Sequence, residues 1–206
     1  MYSCVRRKIA QSNWSRILIQ SLCRQFITMP ANVEIKAKVT YFETLKKVAS
    51  ELSNLPEEIL EQEDTFFHVP NGRLKLREFK GIGQLIQYER SNQSGPKQSD
   101  YHITIVRNPE DLKETLKRAL GIKGIVKKTR LLYMIGQTRV HLDQVDGLGN
   151  FMELEVVLNP DQTVSEGEAV ANHLMDKLGI NETDLITGAY MDLILEKQQN
   201  NQNGDH

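Results

Sequence analysis

The chain has 206 residues, of which 39% are apolar and 26% charged, the makeup of a soluble globular protein with one domain, sometimes two. No apolar run reaches the roughly 20 residues that a membrane-spanning helix needs, so no membrane partner is expected. The formal net charge is -1, but beyond residue 30 there are 21 basic against 27 acidic residues, a deficit that argues against non-specific nucleic-acid binding.

The first 29 residues carry Arg6, Arg7, Lys8, Arg16 and Arg24 and no acid. Ile9, Ile17, Leu18, Leu22 and Phe26 roughly follow helical spacing, the pattern of a mitochondrial transit peptide. The expected location is therefore mitochondrial. Met29 opens the stretch MPANVEIKAKV, and translation from there gives a cytoplasmic protein instead. Both cysteines, Cys4 and Cys23, lie in this leader, which excludes a disulfide framework or a cysteine-ligated zinc site from the body of the chain.

A strand is predicted over 33–39 and a helix over 43–52, with Leu45, Val48, Ala49 and Leu52 on one face. Strands follow over 73–77 and 85–90, with Asn71-Gly72 marking a turn. The polar segment 91–100, with Gly95-Pro96 at its centre, reads as a mobile loop. After a strand over 101–106, Asn108 is a good N-cap, Pro109 suits the first helical position, and Gly121 suits the end of that helix. Strands are predicted over 125–134, 138–143 and 151–158, with a turn at Gly147-Leu148-Gly149. Ser165 with Glu168 forms a capping box for a helix that ends at Gly179. A shorter helix is predicted from near Asn181, holding Leu185 to Leu195. The tail from 198 to 206 has almost no apolar content and is expected to be disordered. The domain is thus placed at 30–197, and it divides into two loosely similar halves.

Alternation along the strands separates an apolar face from an ionic one, because successive side chains point to opposite sides. Glu34, Lys36 and Lys38 oppose Ile35, Ala37 and Val39. Arg73, Lys75 and Arg77 alternate with Leu74 and Leu76. Lys128 and Arg130 share a face, with Lys127 on the other. Arg139, His141 and Asp143 alternate with Val140 and Leu142, and Glu153 and Glu155 with Leu154 and Val156. For any single strand this fits a half-buried sheet with one side in water. Five such strands, with the charges segregated by strand, also fit a sheet closed with the ionic face inward. Such a lumen holds a cationic cluster for phosphate oxygens and a carboxylate cluster for a divalent ion, and the helices cover the outward apolar face.

The stretches VEIKAKV, DTFFHVPNGRLKLRE, LIQYERSNQSGPKQSDY and RVHLDQVDGLGNFMELEVVL resemble, in order, the CYTH family of triphosphate tunnel enzymes. This family holds class IV adenylate cyclases, thiamine triphosphatases and inorganic triphosphatases. The resemblance runs from about Val33 to Leu195. It implies an α+β fold: a closed antiparallel eight-stranded β-barrel, the triphosphate tunnel, flanked by helices. The family's opening signature, E-x-E-x-K, matches Asn32 to Lys36 with Asn32 in place of the first carboxylate. An alternative register, Glu34-x-Lys36-x-Lys38, loses the second carboxylate instead.

By the same resemblance Glu34, Glu153 and Glu155, with Asp143, are the candidate ligands of Mg²⁺ or Mn²⁺. Asp143 alternatively orients a basic neighbour. Lys36, Lys38, Arg73, Lys75, Arg77, Arg90, Lys97, Lys128, Arg130 and Arg139 are the candidate phosphate contacts. Lys36 and Arg130 are assigned the catalytic charge stabilisation, and His141 is a lumen neighbour. Lys97 and Ser99 place the 91–100 loop as a lid that orders over the ligand. The implied partner is a triphosphate-bearing small molecule and the implied protein a monomer or homodimer. The implied reaction is hydrolysis of inorganic tripolyphosphate or of an organic triphosphate such as thiamine triphosphate. The alternatives are cyclisation of ATP to cyclic AMP and pyrophosphate, or non-catalytic binding of an organic phosphate.

Overall fold

The computed structural model describes residues 32–90 and 97–203, with side chains for 32–89 and 101–201. The leader, residues 91–96 of the expected loop and residues 204–206 lie outside the described residues. Ala31–His206 forms one compact unit. Strand β1 spans Asn32–Lys38 and is followed by helix α1, Phe42–Leu52. Next come β2 (Glu58–Phe67), β3 (Arg73–Phe79), β4 (Ile82–Arg90) and β5 (Lys97–Val106). Helix α2 (Pro109–Leu120) leads into β6 (Ile122–Ile135), β7 (Thr138–Val145) and β8 (Gly149–Val157). Helices α3 (Val164–Leu178) and α4 (Tyr190–Asn203) complete the chain.

All eight strands pair antiparallel into one strongly curled sheet in the order β1-β5-β4-β3-β2-β6-β7-β8, with β8 returning to β1. The seams differ in length. β1 and β8 match from Asn32↔Val157 to Lys38↔Phe151, whereas among the described residues β1 and β5 meet only at Val33↔Gln98 and Glu34↔Lys97. Where a closed eight-stranded barrel was expected, the strands form a curled sheet that is open rather than closed, because the β1–β5 edge is joined over two residue pairs alone among the described residues. β5 also begins at Lys97, so the C-terminal end of the expected 91–100 loop is strand.

The expected segregation of apolar residues outward is present. Ile35 and Ala37 of β1, Val140 and Leu142 of β7, and Leu154 and Val156 of β8 pack under Leu45 and Ala49 of α1 and Ala171, Leu174 and Leu178 of α3. All are fully or nearly buried, and the isoleucine, valines and leucines among them each contribute about 1.5–3 kcal/mol to folding. Gly167 allows α3 to come this close, because a Cβ there would collide with Leu158 and Val33.

Three elements differ from expectation. The sequence reading omits β2, whose EILEQEDTFF carries acids on both faces and so has no alternation to detect. Asp64 lies in it. The box that caps α3 is Thr163 with Glu166, not Ser165 with Glu168: the Thr163 N–H donates to Glu166 Oε2 at 2.7 Å and Glu166 N–H donates to Thr163 Oγ1 at 3.3 Å. The predicted last helix is broken. Residues Glu182–Asp184 form a single 3₁₀ turn, Leu185 pairs with Ala37 as an isolated bridge, and Gly188 at φ 81° turns the chain before α4. α4 then continues to Asn203, so residues 198–203 are helical.

Helix α4 closes one end of the curled sheet from within. Tyr190 and Met191, at its N-terminus, are buried with Phe66, Val126, Val145 and Phe151. A Cβ at Gly124 would collide with Met191, so that glycine makes room for the insertion.

Candidate functional site

Register fixes which side chains share the inner face, since residues directly opposite one another in an antiparallel pair point to the same side. Lys36 stands opposite Glu153 and Glu34 opposite Glu155. Glu153 stands opposite His141, and Arg139 opposite Glu155. Arg130 faces Asp143, and Asp64 faces both Val126 and Arg77. The predicted ionic face is therefore one surface, but its signs are interleaved: β7 and β8 set acids directly beside the cations of β6 and β1.

Asp64, the residue the sequence reading missed, gathers three cations. Its Oδ2 accepts from Lys75 Nζ at 2.9 Å and Lys128 Nζ at 3.4 Å, and Arg77 forks onto both oxygens at 2.7 and 2.8 Å. Burial alone would raise the Asp64 carboxyl, but Arg77, then Lys128 and Lys75, hold it well below the usual carboxylate range. The cations carry the opposite strain. Burial, then Arg77, brings the Lys75 ammonium down to about 8. Burial, with Arg130 and Arg77 opposing Asp64, brings Lys128 down to about 7.

A second network centres on Arg130. Its guanidinium donates to both oxygens of Asp143 at 2.7 and 2.6 Å and to Glu153 Oε2 at 2.7 Å. Lys36 Nζ lies 3.2 Å from Glu153 Oε1. The Tyr190 hydroxyl donates to Asp143 Oδ2 at 2.8 Å, and its ring lies 3.9 Å below the Lys36 ammonium. Asp143 thus orients Arg130, the second of its two expected roles, and its carboxyl is held at about 2, burial being outweighed by Arg130. His141 sits 3.9 Å from Glu153 with Nδ1 unpartnered, and burial followed by Arg130 keeps it neutral.

The third cluster is acidic. Glu155 accepts from Asn32 Nδ2 at 2.6 Å and Arg139 Nη1 at 3.1 Å, opposite Glu34. Asn32 is buried on this face, whereas Lys38 is exposed at the strand end, which is the arrangement of the first register. Lys38 is therefore not among the gathered cations. Arg73 is drawn to the α4 end by Asp192 at 2.7 Å, and Lys127 points outward to Glu63 at 3.1 Å. The side chains of Arg90, Lys97 and Ser99 lie outside the described residues, although backbone register sets Lys97 opposite Glu34.

Among the described residues no three acids or imidazoles converge as a ready-made metal cage. The donor chemistry nevertheless suits a hard divalent ion. Two carboxylates, Glu34 and Glu155, oppose each other, and the buried Asn32 Oδ1 beside them has no hydrogen-bond partner. Asp64 and Tyr190 are the site residues absent from the sequence reading. Asp64 heads the stretch DTFFHVPNGRLKLRE that carries the resemblance, but no alternation marked its strand; Tyr190 had no signal, because its role arises from the insertion of α4.

The two lysines give a pH signature. Their folded-state values lie below the roughly 10.4 of an unfolded lysine, so between about pH 8 and 10 the unfolded chain holds protons that the folded chain has released. Their contribution to stability therefore rises with pH across that window. A bound polyanion favours the charged forms and reverses the preference. Thermal unfolding with and without tripolyphosphate is expected to show a larger ligand-induced shift at pH 6.5 than at pH 9. A shift that grows with pH would place the anion away from Lys75 and Lys128.

Comparison with known proteins matches the CYTH domain over residues 30–190. The curated adenylate cyclase CyaB of Aeromonas hydrophila is 24% identical over 155 residues, covering 67% of this chain and 76% of its own. The solved PH1012 protein of Pyrococcus horikoshii superposes with a TM-score of 0.71 at 26% identity, covering 79% of this chain and 98% of its own. A putative adenylyl cyclase from Hippeastrum, HpAC1, described as revealing a dominant triphosphatase activity, superposes with a TM-score of 0.59 at 13% identity. It covers 82% of this chain and 96% of its own.

Proposed function

The chain belongs to the CYTH domain family, and from that premise we propose that it is a metal-dependent hydrolase of a triphosphate-containing small molecule, bound on the inner face of the curled sheet. One observation carries this reading: Lys36, Lys75, Arg77, Lys128 and Arg130 are gathered, buried or nearly so, on one inner face and held in place by acids before any ligand arrives. Burying that much charge costs stability, and a polyphosphate is the ligand that such a cluster suits.

The residues divide the work. Asp143 fixes the fork of Arg130, and Glu153 with the Tyr190 ring fixes Lys36, so both cations are aimed without reorganisation where charge builds on a transferring phosphoryl group. Lys75, Arg77 and Lys128 hold the rest of the chain of phosphates. Glu34, Glu155 and the Asn32 carbonyl, with Glu153, would hold Mg²⁺ or Mn²⁺, which supplies charge neutralisation at phosphate oxygens. Water attacking the terminal phosphorus releases phosphate. The name of the Aeromonas relative favours a second reading, attack by a ribose hydroxyl with release of pyrophosphate. Incubation with tripolyphosphate, thiamine triphosphate and ATP, each with Mg²⁺ or Mn²⁺, tests both. Phosphate release supports hydrolysis, cyclic AMP with pyrophosphate supports cyclisation, and no product from any of them refutes the enzyme.

Asn32→Glu tests the metal assignment. The new carboxylate would stand beside Glu155 and near Glu34, so the metal-free protein is expected to lose stability through like-charge repulsion while Mn²⁺ binds about tenfold more tightly. Calorimetric titration that finds unchanged Mn²⁺ affinity would remove Asn32 from the metal site.

A further inference from the structure

Where α4 closes one end of the curled sheet, a small cavity of about 130 Å³ remains. Its walls come from the β2–β3 turn with Gly72 and Arg73, the start of β6 with Lys123, and the first turn of α4 with Met191 and Asp192. Gly72, at φ 62°, makes the turn where a Cβ would strike the Tyr88 carbonyl oxygen. Gly124, next to Lys123, leaves room for Met191. Tyr190 turns the other way, its ring 3.9 Å from the Lys36 ammonium, so the first turn of α4 separates this cavity from the inner-face cations.

The charges on the cavity wall do not balance. Arg73 and Lys123 are its basic ends, and among the described residues Asp192 is its only acid. Asp192 is engaged twice: its Oδ2 accepts from Arg73 Nη2 at 2.7 Å and from the Ala189 N–H at 2.9 Å. Lys123 is half-buried and has no acid partner among the described residues. Lys36, Lys75, Arg77, Lys128, Arg130 and Arg139 on the inner face each have one. A lysine ammonium beside a guanidinium on a cavity wall attracts a negative group. Arginine carries five N–H donors in a fork that suits oxyanions, so Arg73 can hold a second one beside Asp192. Size restricts the choice. Pockets for drug-sized ligands span about 300–1,000 Å³, and this smaller space suits a single tetrahedral oxyanion.

We infer that this cavity is a second anion site, which takes one phosphate-sized oxyanion on Lys123 and Arg73, opposed by the Asp192 carboxylate. It stands apart from the triphosphate reading, which concerns the inner face. Inorganic phosphate is the probe, and it is also what the proposed hydrolysis releases. Calorimetric titration of the full chain with phosphate, in chelator and with tripolyphosphate saturating the inner face, is expected to show one phosphate bound with a Kd of about 1 mM. Lys123→Ala is expected to weaken that binding at least tenfold and to change tripolyphosphate affinity by less than twofold. Asp192→Asn keeps an acceptor for the Ala189 N–H and removes the opposing charge, so it is expected to bind phosphate at least fivefold more tightly. Circular dichroism checks that both variants fold. Phosphate that binds only by displacing tripolyphosphate, or phosphate affinity unchanged in either variant, overturns the inference, as does wild-type protein that binds no phosphate. Protein that binds phosphate in this pattern but no tripolyphosphate overturns the triphosphate reading and leaves the second site standing.

Discussion

Asp64→Asn is expected to lower stability by about 3–5 kcal/mol at pH 7, a loss that tripolyphosphate restores more fully than it stabilises the wild type. The carboxylate is almost completely buried and is the shared counter-charge of Lys75, Arg77 and Lys128. An amide keeps its shape and leaves three cations facing one another. The two lysines can relieve part of that repulsion by releasing protons, and they already sit near 8 and 7. The deficit is therefore expected to shrink as pH rises toward 9. A bound polyanion replaces the missing charge directly, so ligand should recover the variant disproportionately. Urea unfolding at pH 7 and 9, with and without tripolyphosphate, measures all three effects. Stability within about 0.5 kcal/mol of wild type, the range of an ordinary surface substitution, would mean that Asp64 does not hold the cluster together.

That strand alternation did not single out Asp64, the acid that gathers three cations, has a physical cause. Alternation betrays a strand only when one face is apolar, as in β1, β3, β7 and β8, and there it located Lys36, Arg77, Asp143 and Glu153 on the correct face. In β2 the outward Glu63 is as charged as the inward Asp64, because it pairs with Lys113 and Lys127 on the outside of the sheet. The period disappears although the strand is ten residues long. Capping shows a related limit. Thr163-x-x-Glu166 and Ser165-x-x-Glu168 both satisfy the capping pattern, so the pattern alone does not choose between them, and the structure has the first.

Pairing across strands was less legible still. Lys128 and Arg130 lie on one strand and Glu153 and Glu155 on another, which suggests separate cationic and acidic patches. Strand order puts β7 between them, and Arg139, His141 and Asp143 then knit the two signs together. Tyr190 lies further beyond reach: nothing local distinguishes it from a core tyrosine. Its hydroxyl on Asp143 and its ring beneath Lys36 exist only because Gly188 turns the chain and Gly124 leaves space for Met191.

Glu153→Gln is expected to reduce metal-dependent turnover at least a hundredfold, as loss of a transition-state electrostatic contact does, while the protein still folds. The asymmetry follows from the contacts. The amide carbonyl can still accept from Arg130, and Arg130 keeps both bonds to Asp143, so the buried guanidinium is not orphaned. Lys36 keeps the Tyr190 ring but loses the charge that aims its ammonium, and the candidate metal site loses a carboxylate. A titration separates this account from simple damage to the fold. In the wild type burial alone would raise the Glu153 carboxyl, but Lys36, then Arg130, hold it well below the usual range. A depressed folded-state value means stability that is fully present above the unfolded value of about 4.3 and lost as pH falls through the folded one. Glutamine does not titrate, so the variant should lose less stability than the wild type below pH 4. Turnover near wild type would remove Glu153 from the site, and acid unfolding curves of the same steepness would show that its carboxylate is not held by Lys36 and Arg130.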